Sequence, residues 1–284
     1  SHRQTVENRA ADGGAHEGAG ERHAERHSER AEYRAAQPPR YEAEQVPLLN
    51  APHIAVLDAL CRHLGREFLL QGVDGGDHGD VLASGGDFYS SPRLSPDGSQ
   101  LTWLTWDHPN MPWDGTELWT GELEGHSLVH TQRVAGGIGE SIFQPEWSPD
   151  GVLHFISDRT GWWNLYRWRG GRIEPLCEME AEFGKPQWIF GMSTYAFESP
   201  DRIICAFTEK GAWHLASLDA VTGRLELIGS PYAEISNLHA APGFVVFEGG
   251  SPSEPMSVIR LDLAQRQFEV LRRSSKAVVD VGYL

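Results

Sequence analysis

Three groups of residues in this 284-residue chain have types and spacing that could do chemistry. His23 and His27 stand four apart on one face of any helix there, a spacing able to grip a metal ion. No acidic general base sits between them and no third ligand accompanies them, so the pair reads as surface helix. Asp74, Asp77, His78 and Asp80 crowd a glycine-rich stretch. Their order is not that of a calcium loop, and a flexible joint is the better account. The third group is aromatic: His108, Met111, Trp113, Trp162, Trp163 and Trp213, joined by Glu178, Glu180, Glu182 and Phe183. Aromatic anchors beside carboxylates suit recognition of a peptide amine or docking of another domain. His108, Trp113, Trp162, Trp163, Glu180 and Glu182 are therefore the candidate binding residues. The competing account makes the Trp side chains internal packing and the carboxylates solvated loop residues. No metal or cofactor is implied, and no paired acid and base at a recognisable spacing supports direct catalysis.

The elements that must position the aromatic group follow from a repeat. Ser95-Pro96-Asp97-Gly98 leads into the apolar run Leu101–Trp106, and Ser148-Pro149-Asp150-Gly151 leads into Val152–Ser157, at an offset of 53 residues. Weaker echoes stand at Ser199-Pro200-Asp201 and Ala241-Pro242-Gly243. In each turn Pro presets φ, Asp bonds its own backbone and Gly takes the left-handed position. Asp97 and Asp150 are thereby assigned to turn chemistry, and Asp158 with Arg159 and Gly161 to the closing of the next hairpin. Short strands recurring at roughly 40 to 55 residues are the mark of a β-propeller, one blade per period.

The alignment yields four blades of four strands. First strands are expected at Ser91–Leu94, Gln144–Trp147, Pro186–Ile189 and Ile235–His239, and second strands at Leu101–Trp106, Val152–Ser157, Arg202–Thr208 and Phe244–Glu248. Third strands follow at Glu117–Leu123, Asn164–Trp168, Trp213–Leu218 and Met256–Leu263. Fourth strands follow at Ser127–Val134, Arg172–Cys177, Arg224–Ile228 and Gln267–Arg272. In this layout the turns between strands two and three share a face with the crossings to the next blade. That face collects the aromatic group.

All ten Trp lie after residue 100, so the repeat does not extend to the start of the chain. Residues 12–36 are Ala, Gly, Glu, Arg and His with almost nothing to bury, which suits a marginal helix or a disordered arm. After Pro38-Pro39, the spacing of Ile54, Leu57, Leu60, Cys61, Leu64 and Phe68 predicts an amphipathic helix over about 51–70, with Asn50 as N-cap. The expected organisation is an arm over 1–45, helix and Gly-rich linker over 46–79, and an all-β partial propeller over 80–284. The formal net charge of −16 argues against nucleic acid as a partner. No apolar run approaches the roughly 20 residues needed to span a bilayer, and the N-terminus has no secretory core. Cys61, Cys177 and Cys205 show no metal-type spacing and suit buried thiols in a reducing compartment. A soluble cytoplasmic protein is the expectation.

Three stretches resemble the prolyl oligopeptidase family of serine peptidases, in particular its acylaminoacyl-peptidase and dipeptidyl-aminopeptidase-like branch. They are Phe88-Tyr89-Ser90-Ser91-Pro92-Arg93-Leu94 with the turn that follows, the segment from Trp106 to Trp119, and the segment from Ser157 to Tyr166. The second, with Trp106-Asp107-His108-Pro109-Asn110-Met111-Pro112-Trp113-Asp114-Gly115, is the most specific. The resemblance covers roughly 80–284. It implies a propeller, usually of seven blades, followed by an α/β-hydrolase domain that carries Ser, Asp and His. About four blades are legible here, residues 1–78 do not look like the remainder, and Lys276–Leu284 resembles the link toward a hydrolase domain. A Gly-x-Ser-x-Gly nucleophile elbow is absent. Gly191-Met192-Ser193-Thr194-Tyr195 and Gly125-His126-Ser127-Leu128-Val129 come nearest, and each ends in a bulky residue where the strained turn needs Gly. No catalytic residue of the family can be carried over, and the chain alone is expected to hydrolyse neither peptide nor ester. The resemblance thus implies a non-catalytic propeller that gates or positions peptides for a hydrolase domain. The alternative is a stand-alone propeller that binds a protein or peptide.

Overall fold

The computed structural model describes residues 67–70, 80–125 and 127–276, and is all-β over them. β1 (Glu67–Leu70) pairs antiparallel with β2 (Asp80–Ser84). Blade one is β3 (Phe88–Leu94), β4 (Gln100–Trp106), β5 (Glu117–Glu124) and β6 (Ser127–Gly136). Blade two is β7 (Ile142–Trp147), β8 (Leu153–Ser157), β9 (Asn164–Arg169) and β10 (Arg172–Cys177). Blade three is β11 (Tyr195–Ser199), β12 (Arg202–Glu209), β13 (Ala212–Asp219) and β14 (Leu225–Ile228). Blade four is β15 (Glu234–Ala241), β16 (Phe244–Ser251), β17 (Glu254–Asp262) and β18 (Gln267–Arg273). Each blade is an antiparallel sheet with its strands in chain order.

Successive sheets pack face to face, which is why the second strands are apolar on both sides: β8 is buried throughout. Phe143, Ile156 and Leu165 of blade two meet Tyr195, Ile203 and Phe207 of blade three in the broadest core. Leu104 and Leu118 of blade one pack on Ile142, Leu153 and Phe155 of blade two. Ile204 and Leu215 of blade three pack on Val245, Phe247 and Ile259 of blade four. The turns behave as their residues dictate. Ser95 Oγ donates to Asp97 Oδ1 at 2.6 Å, and Ser99 N donates to the same oxygen at 3.0 Å. These bonds, the Ser95 hydroxyl foremost, hold the Asp97 carboxyl below its usual pKa range. Gly98 and Gly151 take φ of +73° and +82°.

The first strands carry a feature that residue types did not announce. β3, β7 and β15 each break register, between Ser90 and Arg93, Phe143 and Glu146, and Ser236 and His239. At the break Ser91, Gln144 and Asn237 adopt φ of 53°, 46° and 53°. Left-handed non-glycine residues cost of order 1–3 kcal/mol each and persist where surrounding contacts over-determine them. At Gln144 those contacts reach the next blade: Oε1 accepts from Thr194 N at 2.7 Å, Nε2 donates to Tyr195 O at 2.7 Å, and Tyr195 Oη donates to Gln144 O at 3.0 Å. Ser193 Oγ similarly donates to Leu238 O at 2.8 Å, tying blade three to blade four. Arg93 Nε bonds Glu146 Oε1 at 2.8 Å between blades one and two. A cavity of about 300 Å³ lies among these first strands, lined by Arg93, Glu146, Tyr195, Phe197 and His239.

Two expectations need correction. Residues 67–70, the tail of the expected helix, form β1, with Phe68 opposite Ala83 and Leu70 opposite Asp80. Pairing with β2, whose Leu82 is buried against Leu101 and Trp103, overrides a helical spacing that had no partner surface of its own. The first strand of blade three is not Pro186–Ile189 but Tyr195–Ser199, directly before the Ser199-Pro200-Asp201 turn. Residues 178–194 are a long crossing. The arm over 1–45, the remainder of the helix, Cys61, His23 and His27, the Gly72–Gly79 linker with its Asp74, Asp77 and His78, and residues 277–284 lie outside the described residues.

Candidate functional site

Blade one's loop over 107–116, blade two's over 158–163 and the crossing over 178–194 belong to one face. The crossing is anchored like a strap at both ends. Glu182 exchanges backbone hydrogen bonds with Thr208 at 2.9 Å, and Phe183, fully buried, donates N–H to Trp163 O at 2.7 Å. Further along, Gln187 Nε2 donates to Ile142 O at 3.0 Å, and Thr194 Oγ1 donates to Phe183 O at 2.5 Å. Between these buried anchors the strap presents Trp188, Ile189 and Phe190, which are 74%, 66% and 54% exposed. The tip reaches blade one. Trp188 and Trp113 have ring centroids 4.3 Å apart at 45°, and Phe190 and Trp106 lie 6.3 Å apart at 55°.

The residues singled out from sequence divide into working and free side chains. Trp113 is half-buried, on a loop fixed by Thr116 Oγ1 and Ser141 Oγ, which donate to Pro112 O at 2.6 and 2.8 Å. Trp163 packs on Phe143 at 5.7 Å, and its N–H donates to Glu182 Oε2 at 3.0 Å. Glu182 therefore holds the strap rather than offering a free carboxylate. Trp162, Glu180 and His108 are exposed, and His108 N donates to Asp87 Oδ2 at 3.1 Å. Trp213 lies under Lys185 Nζ at 5.4 Å. Burial lowers the Lys185 pKa, opposed by Glu234 and Glu248. Asp158 accepts from Ser141 N at 2.7 Å. Its pKa is raised, mainly by burial, with Glu140 and Glu182 adding to it. Ser193, in the string nearest a nucleophile elbow, is buried and spent on Leu238 O. Among the described residues no cluster of His, Cys, Asp and Glu is placed to hold a metal ion, and no helix is long and apolar enough to cross a membrane.

His108 and Trp113 lie on the loop over 107–116, Trp162 and Trp163 on that over 158–163, and Glu180 and Glu182 on the crossing. Three exposed apolar residues of the strap there, Trp188, Ile189 and Phe190, were missed. Their signal was present as an apolar triplet between Pro186 and Gly191, but a buried strand has the same signature.

A scan against protein-family models and a search of curated proteins each found no match. Solved structures do match. A puromycin-hydrolysing peptidase of Mycobacterium tuberculosis is 35% identical with a TM-score of 0.72, over 78% of this chain and 35% of that one. A puromycin hydrolase mutant complexed with PGG is 37% identical with a TM-score of 0.65, over 70% and 31%. A prolyl endopeptidase shares the fold at 11% identity, with a TM-score of 0.57 over 79% and 32%. The chain spans about a third of the length of these proteins. Sheet architecture, turn repeat and these likenesses agree: the four blades are a propeller similar to that of puromycin-hydrolysing peptidases and share the fold of prolyl endopeptidases.

Proposed function

We propose that this chain serves as the non-catalytic propeller part of a serine peptidase, and that its strap-bearing face adjoins a hydrolase domain and positions peptides for it. The observation that carries the reading is the strap: its ends are locked by buried hydrogen bonds while an apolar tip stays open beside Trp113. A side chain such as Trp188 held open on an anchored segment suits a surface that meets another molecule. The puromycin-hydrolysing relatives support peptidase chemistry, and the prolyl endopeptidase structure is described in terms of inter-domain dynamics in catalysis and specificity. Acyl transfer itself would belong to the hydrolase domain. This chain's residues would bind, orient and exclude water. A reducing cytoplasm accords with free Cys177 and Cys205.

The test is a chimera in which residues 80–273 replace the matching segment of the M. tuberculosis peptidase. The proposal expects the folded chimera, checked by near-UV circular dichroism, to hydrolyse short peptides, with strap substitutions changing KM more than kcat. A folded chimera that neither binds nor cleaves peptides would contradict it.

A further inference from the structure

We infer that the strap tip and the 107–116 loop of blade one together form a subsite for one bulky apolar side chain of a peptide, best an aromatic one. This rests on the peptide-positioning reading above and names what the site takes. The Trp113–Trp188 and Trp106–Phe190 pairs meet at 45° and 55°, so neither is a closed parallel stack. Trp188 and Phe190 thereby keep ring faces and edges open to a third ring, while Trp106 is buried and stacked on Phe88 beneath them. Gln187, next to the tip, is buried and bonded to Ile142 O, so the tip is held in place before any ligand arrives.

The open rings at the tip match the size of a single bulky side chain. An aromatic side chain buries about 150–250 Å² when covered, so the exposures of Trp188 and Phe190 leave on the order of 300 Å² open. Charge narrows the occupant further. Asp107 and Asp114 bracket the loop, and Glu178 and Glu180 open the strap. Among the described residues none of the four stands in an ion pair. An acidic side chain would be repelled, while an uncharged aromatic one would not.

The full chain is titrated by calorimetry with acetylated, amidated Gly-Phe-Gly, Gly-Ala-Gly and Gly-Glu-Gly. The Phe peptide should bind at least tenfold more tightly than the other two. Trp188→Ala and Phe190→Ala should each weaken it at least fivefold without moving the thermal midpoint. Phe190→Leu should recover most of the loss, and Val221→Ala, in the turn between β13 and β14, should change nothing. Equal binding of the three peptides, no binding of any, or an unaffected Trp188→Ala variant would overturn the inference. An active chimera with no Phe-peptide binding sinks the subsite alone, whereas Phe-peptide binding beside an inactive chimera sinks the domain reading and leaves the subsite.

Discussion

Acidification from pH 7 to pH 5 should destabilise the blades by about 2 kcal/mol through His154 alone. The imidazole sits in β8 with a side chain 2% exposed, its edge against Phe197 at 4.9 Å. Nδ1 lies 2.9 Å from Val152 O, so it carries the proton, and buried Nε2 has no hydrogen-bond partner. Burial is the main cause that lowers its pKa from 6.5 to about 4. Arg167 and Arg169 add to the shift, while the Val152 carbonyl and Asp150 oppose it. The unfolded chain takes up a proton below about pH 6.5 and the folded protein resists until about pH 4. Stability is therefore lost as pH falls through that window. At ~1.4 kcal/mol per pKa unit the full loss is about 3 kcal/mol, of which about 2 kcal/mol has appeared by pH 5. Other groups titrate over the same range, so the assay compares denaturant unfolding of the wild type and His154→Gln at both pH values. The variant should lose about 2 kcal/mol less on acidification. An equal acid loss in both proteins would refute the assignment of a neutral, buried His154.

Other perturbations probe the joints. Gln144→Leu removes the amide that satisfies Thr194 N and Tyr195 O, so two buried backbone groups lose partners. It should cost about 3 kcal/mol in urea unfolding, at 1–3 kcal/mol per orphaned group. Gly184→Ala places a Cβ 1.7 Å from Cε3 of Trp163. The Trp163 ring or the strap must move, and tryptophan emission should shift. Arg93→Ala breaks the half-exposed pair with Glu146 while Trp147 Nε1 still reaches Arg93 O at 3.1 Å. It should cost under about 1 kcal/mol and matter less in high salt.

Much of the fold was legible because turn chemistry is local. Ser-Pro-Asp-Gly predicts its own hydrogen bonds, and the apolar run after it must be the doubly buried second strand. Where the echo weakened, at Ser199-Pro200-Asp201, the turn was still found but the strand before it was misplaced. The crossing into blade three is longer than those over 137–141 and 229–233, and periodicity has no means of announcing an insertion. Trp188 and Ile189 then took the role of a first strand, although they are among the most exposed apolar residues described. The left-handed residues at Ser91, Gln144 and Asn237 were illegible for a different reason. At Gln144 the conformation is held by contacts with Thr194 and Tyr195 beyond its own blade, which no local rule encodes. At the site, residue types identified the face but not the division of labour: Glu182 and Trp163 hold the strap, and Trp113 meets its tip.

Hydroxyl-radical footprinting of the chimera against this chain alone tests the central claim most directly. Trp188, Ile189 and Phe190 mark the strap face, and Val221, 67% exposed in the turn after β13, marks the opposite end of the blades. If the strap face adjoins a hydrolase domain, oxidation of the three tip residues should fall severalfold in the chimera while Val221 stays as reactive as before. Protection of Val221 with an unchanged strap tip would place the hydrolase domain on the other end and contradict the account.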